Sequence, residues 1–171
     1  MFDLNRFSKE VYWNALEHGF WEGERSIYQT FALIHAEWSE ALEEERAGHA
    51  MVWTGEHGKP EGIAVELIDG VLRILDFCGK NDYKIAVYEK HGEKKCSLSQ
   101  LVTELHFNTA LVLEWGVRHG EKEREYTESR LSMIVHSVFD WIETEGYKAG
   151  EILKMKHAYN KTREYKHGKR Y

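Results

Sequence analysis

Residues 27–47 read IYQTFALIHAEWSEALEEERA, and residues 63–77 read IAVELIDGVLRILDF. Apolar residues recur at helical spacing in the first stretch and cover most of the circumference of the second, so each stretch predicts an α-helix. Each also carries two acids three residues apart, a spacing that places both side chains on one helical face. The two acid pairs are Glu37 with Glu40, and Glu66 with Asp69.

These two acidic faces would bring four carboxylates together if the helices packed side by side. Like charges in a half-buried cleft repel, so such a site either protonates some of its acids or binds a cation. Ligand sets made only of oxygen suit Mg²⁺ or Mn²⁺. The alternative is a solvated acidic face, which is common for an ExxE spacing on an amphipathic helix. A solvated face is less common for a pair such as Glu66 and Asp69, because a helix that is apolar nearly all round is largely buried.

A family resemblance rests on these acids and on the end of the chain. Glu37-Trp-Ser-Glu40, followed by Glu66-Leu-Ile-Asp69 on an apolar helix, resembles the motif of the MazG-like, all-α nucleoside triphosphate pyrophosphohydrolases. That superfamily includes dimeric dUTPases and dCTP pyrophosphatases. Ala36 stands where relatives commonly carry a further glutamate. The run KHAYNKTR at residues 156–163, with His167-Gly168-Lys169 behind it, is similar to the tail of many relatives.

The resemblance implies a helical bundle with a four-helix core, and hydrolysis of an NTP or dNTP to the monophosphate and pyrophosphate with Mg²⁺, or Mn²⁺ in its place. It implies that one of Glu37 and Glu40 also orients or deprotonates the attacking water. Relatives build this site between subunits or across a bundle, so it implies at least a homodimer. The implied metal ligands are Glu37, Glu40, Glu66 and Asp69. The implied phosphate-binding residues are Lys156, Asn160 and Arg163, with Lys169 as a looser candidate.

Aromatic residues offer candidate contacts to a nucleobase, because stacking on an aromatic ring favours binding of every base. Trp21 is the substrate-binding candidate, because it lies between glycines just before the acidic helix; its alternative role is in the core. Trp38 and Trp53 are further candidates. Glu44, one turn beyond Glu40, is a possible outer acid of the metal site.

The remaining pattern predicts an all-α fold of five to six helices. An amphipathic helix is expected over residues 4–18, and Pro60 is expected in the first turn of the second acidic helix. Ser97 and Gln100 predict a capping box that opens a helix extending to Trp115. Thr127 is expected to cap a helix over residues 128–144. The last helix is expected over residues 147–165, with a stripe of hydrogen-bond donors on one face.

Length and composition describe one domain of 171 residues, with 42% hydrophobic and 30% charged residues. No apolar run approaches the ~20 residues that cross a bilayer, and the N-terminus lacks the pattern of a signal peptide. Two cysteines form neither a disulfide framework nor a zinc signature. We therefore expect a cytoplasmic protein without membrane partners.

The charge is unevenly distributed. Residues 147–171 carry eight Lys or Arg and two Glu, a balance of +6, and the formal net charge of −6 leaves −12 for the rest. A basic tail could contact nucleic acid, although it suits a metal-and-phosphate site equally well, and we expect no nucleic-acid partner. A di-iron bundle would need Glu-x-x-His motifs that the acid pairs lack. The alternatives that stay open are a helical binding or regulatory protein, and a phosphatase that attacks the terminal phosphate.

Overall fold

The computed structural model describes residues 3–23, 25–87 and 96–168. These parts contain six α-helices and one two-stranded antiparallel sheet, which confirms the predicted all-α fold. The helices are α1 (Leu4–Glu17), α2 (Ile27–Arg46), α3 (Ile63–Asn81), α4 (Leu98–Leu111), α5 (Arg124–Thr144) and α6 (Ala149–Lys161). The strands are β1 (Trp53–Thr54) and β2 (Pro60–Glu61), with Trp53 opposite Glu61 and Thr54 opposite Pro60.

Helix α3 is the central element of the fold. It packs against α1, α2, α5 and α6, and 14 of its 19 residues are buried, as its nearly continuous apolar surface predicts. Helices α2, α3, α5 and α4 form a four-helix bundle. Helix α3 packs on α2 and α5, and α4 completes the bundle by packing on the same two helices. Buried apolar residues of all six helices belong to one connected core. None of the described helices combines the length and the apolar character needed to cross a bilayer.

The start of α3 differs from the prediction for Pro60. This residue lies in β2, and the helix begins three residues later, after Gly62 at a φ of 118°. A Cβ atom at Gly62 would lie 2.6 Å from the carbonyl oxygen of Ala50, so only glycine fits between the two segments. The first amides of α3 donate to the carbonyls of residues 50 and 51, which replace a side-chain cap.

Two further predictions for helix starts have opposite outcomes. The capping box of Ser97 and Gln100 at the start of α4 is confirmed. The prediction of Thr127 as an N-cap is wrong, because it lies one turn inside α5, fully buried, and its hydroxyl donates to the carbonyl of Glu123 at 2.9 Å. A 3₁₀ segment, Val117–Glu123, leads directly into α5, so its start has no extended cap residue.

The last helix is shorter than predicted. Helix α6 ends at Lys161, and a separate 3₁₀ turn covers Tyr165–Gly168. The predicted donors Lys156 and Asn160 therefore lie on α6 itself, and Arg163 follows its end. Lys169 lies outside the described residues.

Candidate functional site

A cavity of about 320 Å³ lies beside the polar stripe of α3, between α1, α2 and α6. Both predicted acid pairs line it. Its charged lining contains equal numbers of acids and cations: Glu37, Glu40, Glu66, Asp69 and Asp76 against Arg25, Lys59, Arg73, Lys156 and Arg163. A larger cavity of about 770 Å³ lies on the α4–α5 side, next to residues 84–87. The smaller cavity is the candidate site because it contains both acid pairs.

Three of the four predicted metal ligands converge. Carboxylate oxygens of Glu37, Glu40 and Glu66 all lie within 4.8 Å of one another. Glu37 and Glu66 are buried, whereas Glu40 is exposed to solvent. Oxygens at this separation can share one cation, whose ligand bonds are ~2.0–2.6 Å long.

Close packing of α2 on α3 makes this convergence possible. Gly70 on α3 faces the ring of Trp38 on α2, and a Cβ at this position would lie 2.1 Å from Trp38 Cζ3. Trp38 and Gly70 directly follow the acids Glu37 and Asp69 in the chain. The contact that brings the two helices together therefore also brings their acids together.

Asp69, the fourth predicted ligand, is bound by a cation of the protein. Its Oδ2 accepts from Lys156 Nζ at 2.8 Å, and the same ammonium group donates to the carbonyl of Pro60 at 3.1 Å. Lys156 is only 1% exposed, so this ion pair lies in the protein interior. Lys156 thus faces the cavity, as the resemblance implies, but its ammonium group is already bonded to Asp69 and β2.

Burial dominates the electrostatics of the acid end. Burial, reinforced by the charge of Asp69, raises the pKa of Glu66 to about 8. Burial also raises the pKa of Glu37, although Arg73 Nε donates to its Oε1 at 2.5 Å and opposes the change. Carboxyls that resist ionisation in this way gain from a bound proton or a bound cation.

The far end of the cavity is built around Arg25. Its Nη1 lies 3.9 Å from Asp76 Oδ2, and its guanidinium lies 5.6 Å from the ring centre of Phe20 and 5.2 Å from that of Trp21. Trp21 Nε1 donates to the other oxygen of Asp76 at 2.9 Å. Burial raises the pKa of Asp76 to about 6, against the opposing effects of Trp21 and Arg25. Trp21 therefore contacts the lining residues Arg25 and Asp76 but does not itself line the cavity.

Unpaired polar atoms concentrate at this cavity. Among the described residues, the buried side-chain nitrogen and oxygen atoms without a hydrogen-bond partner all belong to residues that line it. Each such atom costs about 1–3 kcal/mol when nothing satisfies it. The atoms are Asn14 Oδ1, Arg25 Nε and Nη2, His157 Nε2, and Asn160 Oδ1.

The other candidate residues have different environments. Trp38 is fully buried in the core, where its Nε1 donates to Thr109, so the structure places it outside the cavity lining. Trp53 and His49 both hydrogen-bond Glu44, which ties β1 to the end of α2 and gives this acid a structural partner instead of a place in the cavity.

Sequence reasoning missed several residues of the lining. Arg73 and Asp76 were visible in the polar stripe of α3, yet nothing in their spacing assigned them to the site. Arg25, Lys59 and Asn14 belong to other elements, and only the tertiary fold brings them to the cavity. Although burial opposes it, bonding to Glu61 raises the pKa of Lys59, which therefore stays charged at this wall.

No protein-family model, curated protein or solved structure matches this chain. A function therefore has to be inferred from the cavity itself.

Proposed function

We propose that this chain is a Mg²⁺-dependent nucleoside triphosphate pyrophosphohydrolase, which converts an NTP or dNTP to the monophosphate and pyrophosphate. The observation that carries the proposal is the convergence of Glu37, Glu40 and Glu66 within 4.8 Å in a cavity that cations also line. Phosphoryl chemistry depends mainly on positioning and on charge neutralisation. Acids for a metal and cations for phosphate oxygens are the two components that it requires.

The acid end fits a hard divalent cation. Its donors are all carboxylate oxygens, the kind that Mg²⁺ and Mn²⁺ prefer. A bound cation would also relieve the repulsion between Glu66 and the neighbouring acids, which together with burial raises the pKa of Glu66. Glu37, Glu40 and Glu66 would hold the ion, with Asp69 beside them. Bound Mg²⁺ would neutralise phosphate oxygens and lower the pKa of a coordinated water.

The residues of the chain then have separate roles. Glu40 is exposed, so it takes the proton of the attacking water, while Arg73 restrains Glu37. The water oxygen bonds to the α-phosphorus, and the bond between this phosphorus and the oxygen that bridges it to the β-phosphate breaks. Pyrophosphate departs with that bridging oxygen. Lys59 and Arg163 bind phosphate oxygens, and Lys156 keeps Asp69 oriented.

The test is a panel of canonical and modified nucleotides with Mg²⁺, in which pyrophosphate and orthophosphate are measured separately. We expect pyrophosphate; release of orthophosphate alone would indicate the phosphatase alternative. Glu37→Ala and Asp69→Ala should abolish turnover while the far-ultraviolet circular dichroism stays helical. Glu43→Ala is the matched control, because Glu43 is an exposed acid on α2 that pairs with Arg46. Turnover by Glu37→Ala at the wild-type rate would refute the proposal.

The internal charge balance favours a second candidate, a non-enzymatic helical binding protein. Arg73 bonds Glu37 and Lys156 bonds Asp69, so two acids of the cavity already have a cationic partner of their own. A protein of this kind needs no metal, and its thermal unfolding should not respond to Mg²⁺. The proposed enzyme should unfold at a higher temperature with Mg²⁺, and Glu66→Ala should remove that response.

We also propose that the chain forms a cytoplasmic homodimer. Exposed aromatic side chains on the α2 and α4 side of the bundle support this assembly: Tyr28, Phe107 and Trp115 are all more than half exposed. Apolar groups of this size are typical of protein interfaces. Sedimentation velocity should show a dimer, and Phe107→Ser should shift it toward the monomer.

A further inference from the structure

The Arg25–Asp76 pair lies further along α3 than the acids of that helix. Asp76 follows Asp69 by seven residues and Glu66 by ten, so its backbone lies about 10–15 Å further along the helix axis. Helix α6 lines the same cavity, and its Lys156 pairs with Asp69. The Arg163 carbonyl, beyond the end of α6, bonds His18 at the end of α1. Asn160 lies in the chain between these two contacts.

Arg25 presents one edge of its guanidinium group without a partner. Nε and Nη2 form a planar pair of donors that suits two acceptor oxygens, or a single carbonyl, in a fixed geometry. The Arg25 side chain is only 7% exposed. The rings of Phe20 and Trp21 and the carboxylate of Asp76 hold it in place. A preorganised and unfilled pair of donors is a binding group for a ligand acceptor.

Asn14, Asn160 and His157 add the opposite hydrogen-bonding character. A carboxamide oxygen accepts a hydrogen bond, and Oδ1 of both asparagines lacks a donor. Burial lowers the pKa of His157 to about 4, so at neutral pH its unpaired Nε2 carries no charge. Asn14 and His157 are both more than nine-tenths buried. The two asparagine oxygens therefore favour a ligand with N–H donors, which an ionised phosphate does not offer, and the neutral His157 ring can donate or accept according to its tautomer.

A nucleobase with a carbonyl group and an N–H or amino group on the same edge satisfies both requirements. Uracil, cytosine and guanine offer such an edge, whereas adenine has no carbonyl oxygen. We propose that Arg25, Asn14, His157 and Asn160 form a base-binding subsite that prefers carbonyl-bearing bases over adenine. This inference rests on the nucleotide-binding part of the proposed function, and it identifies the substrate class within it.

The test measures binding without turnover. Calorimetric titrations with UMP, CMP, GMP and AMP in EDTA separate base recognition from metal chemistry. We expect at least one carbonyl-bearing nucleotide to bind roughly 10-fold or more tightly than AMP, the size of one good bidentate contact. Arg25→Lys keeps the charge but loses the planar edge, so it should remove this preference. Arg46→Lys is the matched control, since Arg46 is an exposed arginine on α2.

A second variant guards against a folding defect in Arg25→Lys. Asn14→Leu removes a buried unpaired oxygen at similar volume, so it should leave the unfolding temperature unchanged or higher while weakening binding of the preferred nucleotide. Equal affinity for AMP and the other three nucleotides overturns the inference, and so does the absence of binding by all four. Inorganic tripolyphosphate, which has no base, tests the other role of Arg25. If Arg25→Lys weakens binding of tripolyphosphate as much as binding of UMP, the guanidinium edge binds phosphate and not the base.

The reaction and the subsite can fail separately. Selective binding of a carbonyl-bearing nucleotide without release of pyrophosphate would retain the subsite and refute the enzyme. Pyrophosphate release from all nucleotides at equal kcat/KM, together with equal binding, would retain the enzyme and refute the subsite.

Discussion

Substitution of Gly70 by alanine tests whether the α2–α3 contact determines both stability and site geometry. The added Cβ would lie 2.1 Å from Cζ3 of Trp38, whereas carbon atoms in contact are normally ~3.5–4.0 Å apart. Trp38 cannot move aside easily, because it is fully buried and its Nε1 donates to Thr109 on α4 at 3.1 Å. The two helices must therefore separate by more than about 1 Å, or the indole must leave its position.

The net cost follows from two opposing effects. Overpacking of a dense core costs about 1–3 kcal/mol, and the lost bond to Thr109 adds about 1 kcal/mol if the indole moves. Replacement of a helical glycine by alanine returns about 0.5–1 kcal/mol. We expect the free energy of unfolding of Gly70→Ala to fall by about 2 kcal/mol, which lowers the melting temperature by about 4–8 °C in a chain of this size.

Thermal and urea unfolding measure this loss directly, and Gly150→Ala provides the control. Gly150 lies in α6, where an added Cβ meets nothing within 4 Å, so this variant should gain up to about 1 kcal/mol. Helix separation also widens the acid site, since Glu37 and Asp69 flank the contact, and stabilisation by Mg²⁺ should weaken in Gly70→Ala alone. A Gly70→Ala variant that unfolds at or above the wild-type temperature would refute the reasoning.

Three further predictions concern buried ionisable groups. The pKa of Glu66 is raised from 4.5 to about 8, so its contribution to folding stability is complete below pH 4.5 and is lost as the pH rises through 8. In EDTA, urea unfolding should show the free energy of unfolding of Glu66→Gln rising relative to that of the wild type over this range, by up to about 5 kcal/mol at pH 9. A difference between the two proteins that does not change with pH would contradict this prediction. Lys156→Met should cost about 3 kcal/mol at pH 7, because it leaves Asp69 without its cation, and Lys156→Met/Asp69→Leu should recover most of that loss. Burial raises the pKa of Cys78 far above its ordinary value, so a thiol reagent should label this residue only at the rate of unfolding.

Periodicity alone predicted the elements that carry the acids. A helix that is apolar nearly all round must have neighbours on several sides, and α3 packs against four other helices. The ExxE and ExxD spacings predicted which side chains share a face, and three of these acids lie together in the structure. Local chemistry also predicted the capping box of Ser97, because both of its hydrogen bonds form within four residues.

Long-range contacts were not predictable from one sequence. Lys156 was assigned to phosphate, yet it is buried against Asp69 and Pro60, more than eighty residues away in the chain. Pro60 suits the first turn of a helix, but the short β-hairpin and the Gly62 turn position it in a strand. Arg25 lies in a loop without periodicity, so only the completed fold shows that it faces Asp76.

Charge compensation within the protein explains one end of the cavity better than the other. Arg73 and Lys156 satisfy Glu37 and Asp69, so a purely structural role could account for part of the acid end. It does not account for Asn14 and His157, since an unpaired polar atom in the interior lowers stability by about 1–3 kcal/mol and a leucine would avoid that loss. Such a loss is recovered when a ligand supplies the missing hydrogen bonds. A ligand that reaches both ends must be anionic beside Glu66, where a cation can be shared. It must be neutral and polar beside Arg25, whose partner Asp76 lies about 10–15 Å further along the axis of α3 than Asp69 and Glu66. A nucleotide has this distribution of charge, whereas inorganic polyphosphate, which is anionic along its whole length, does not.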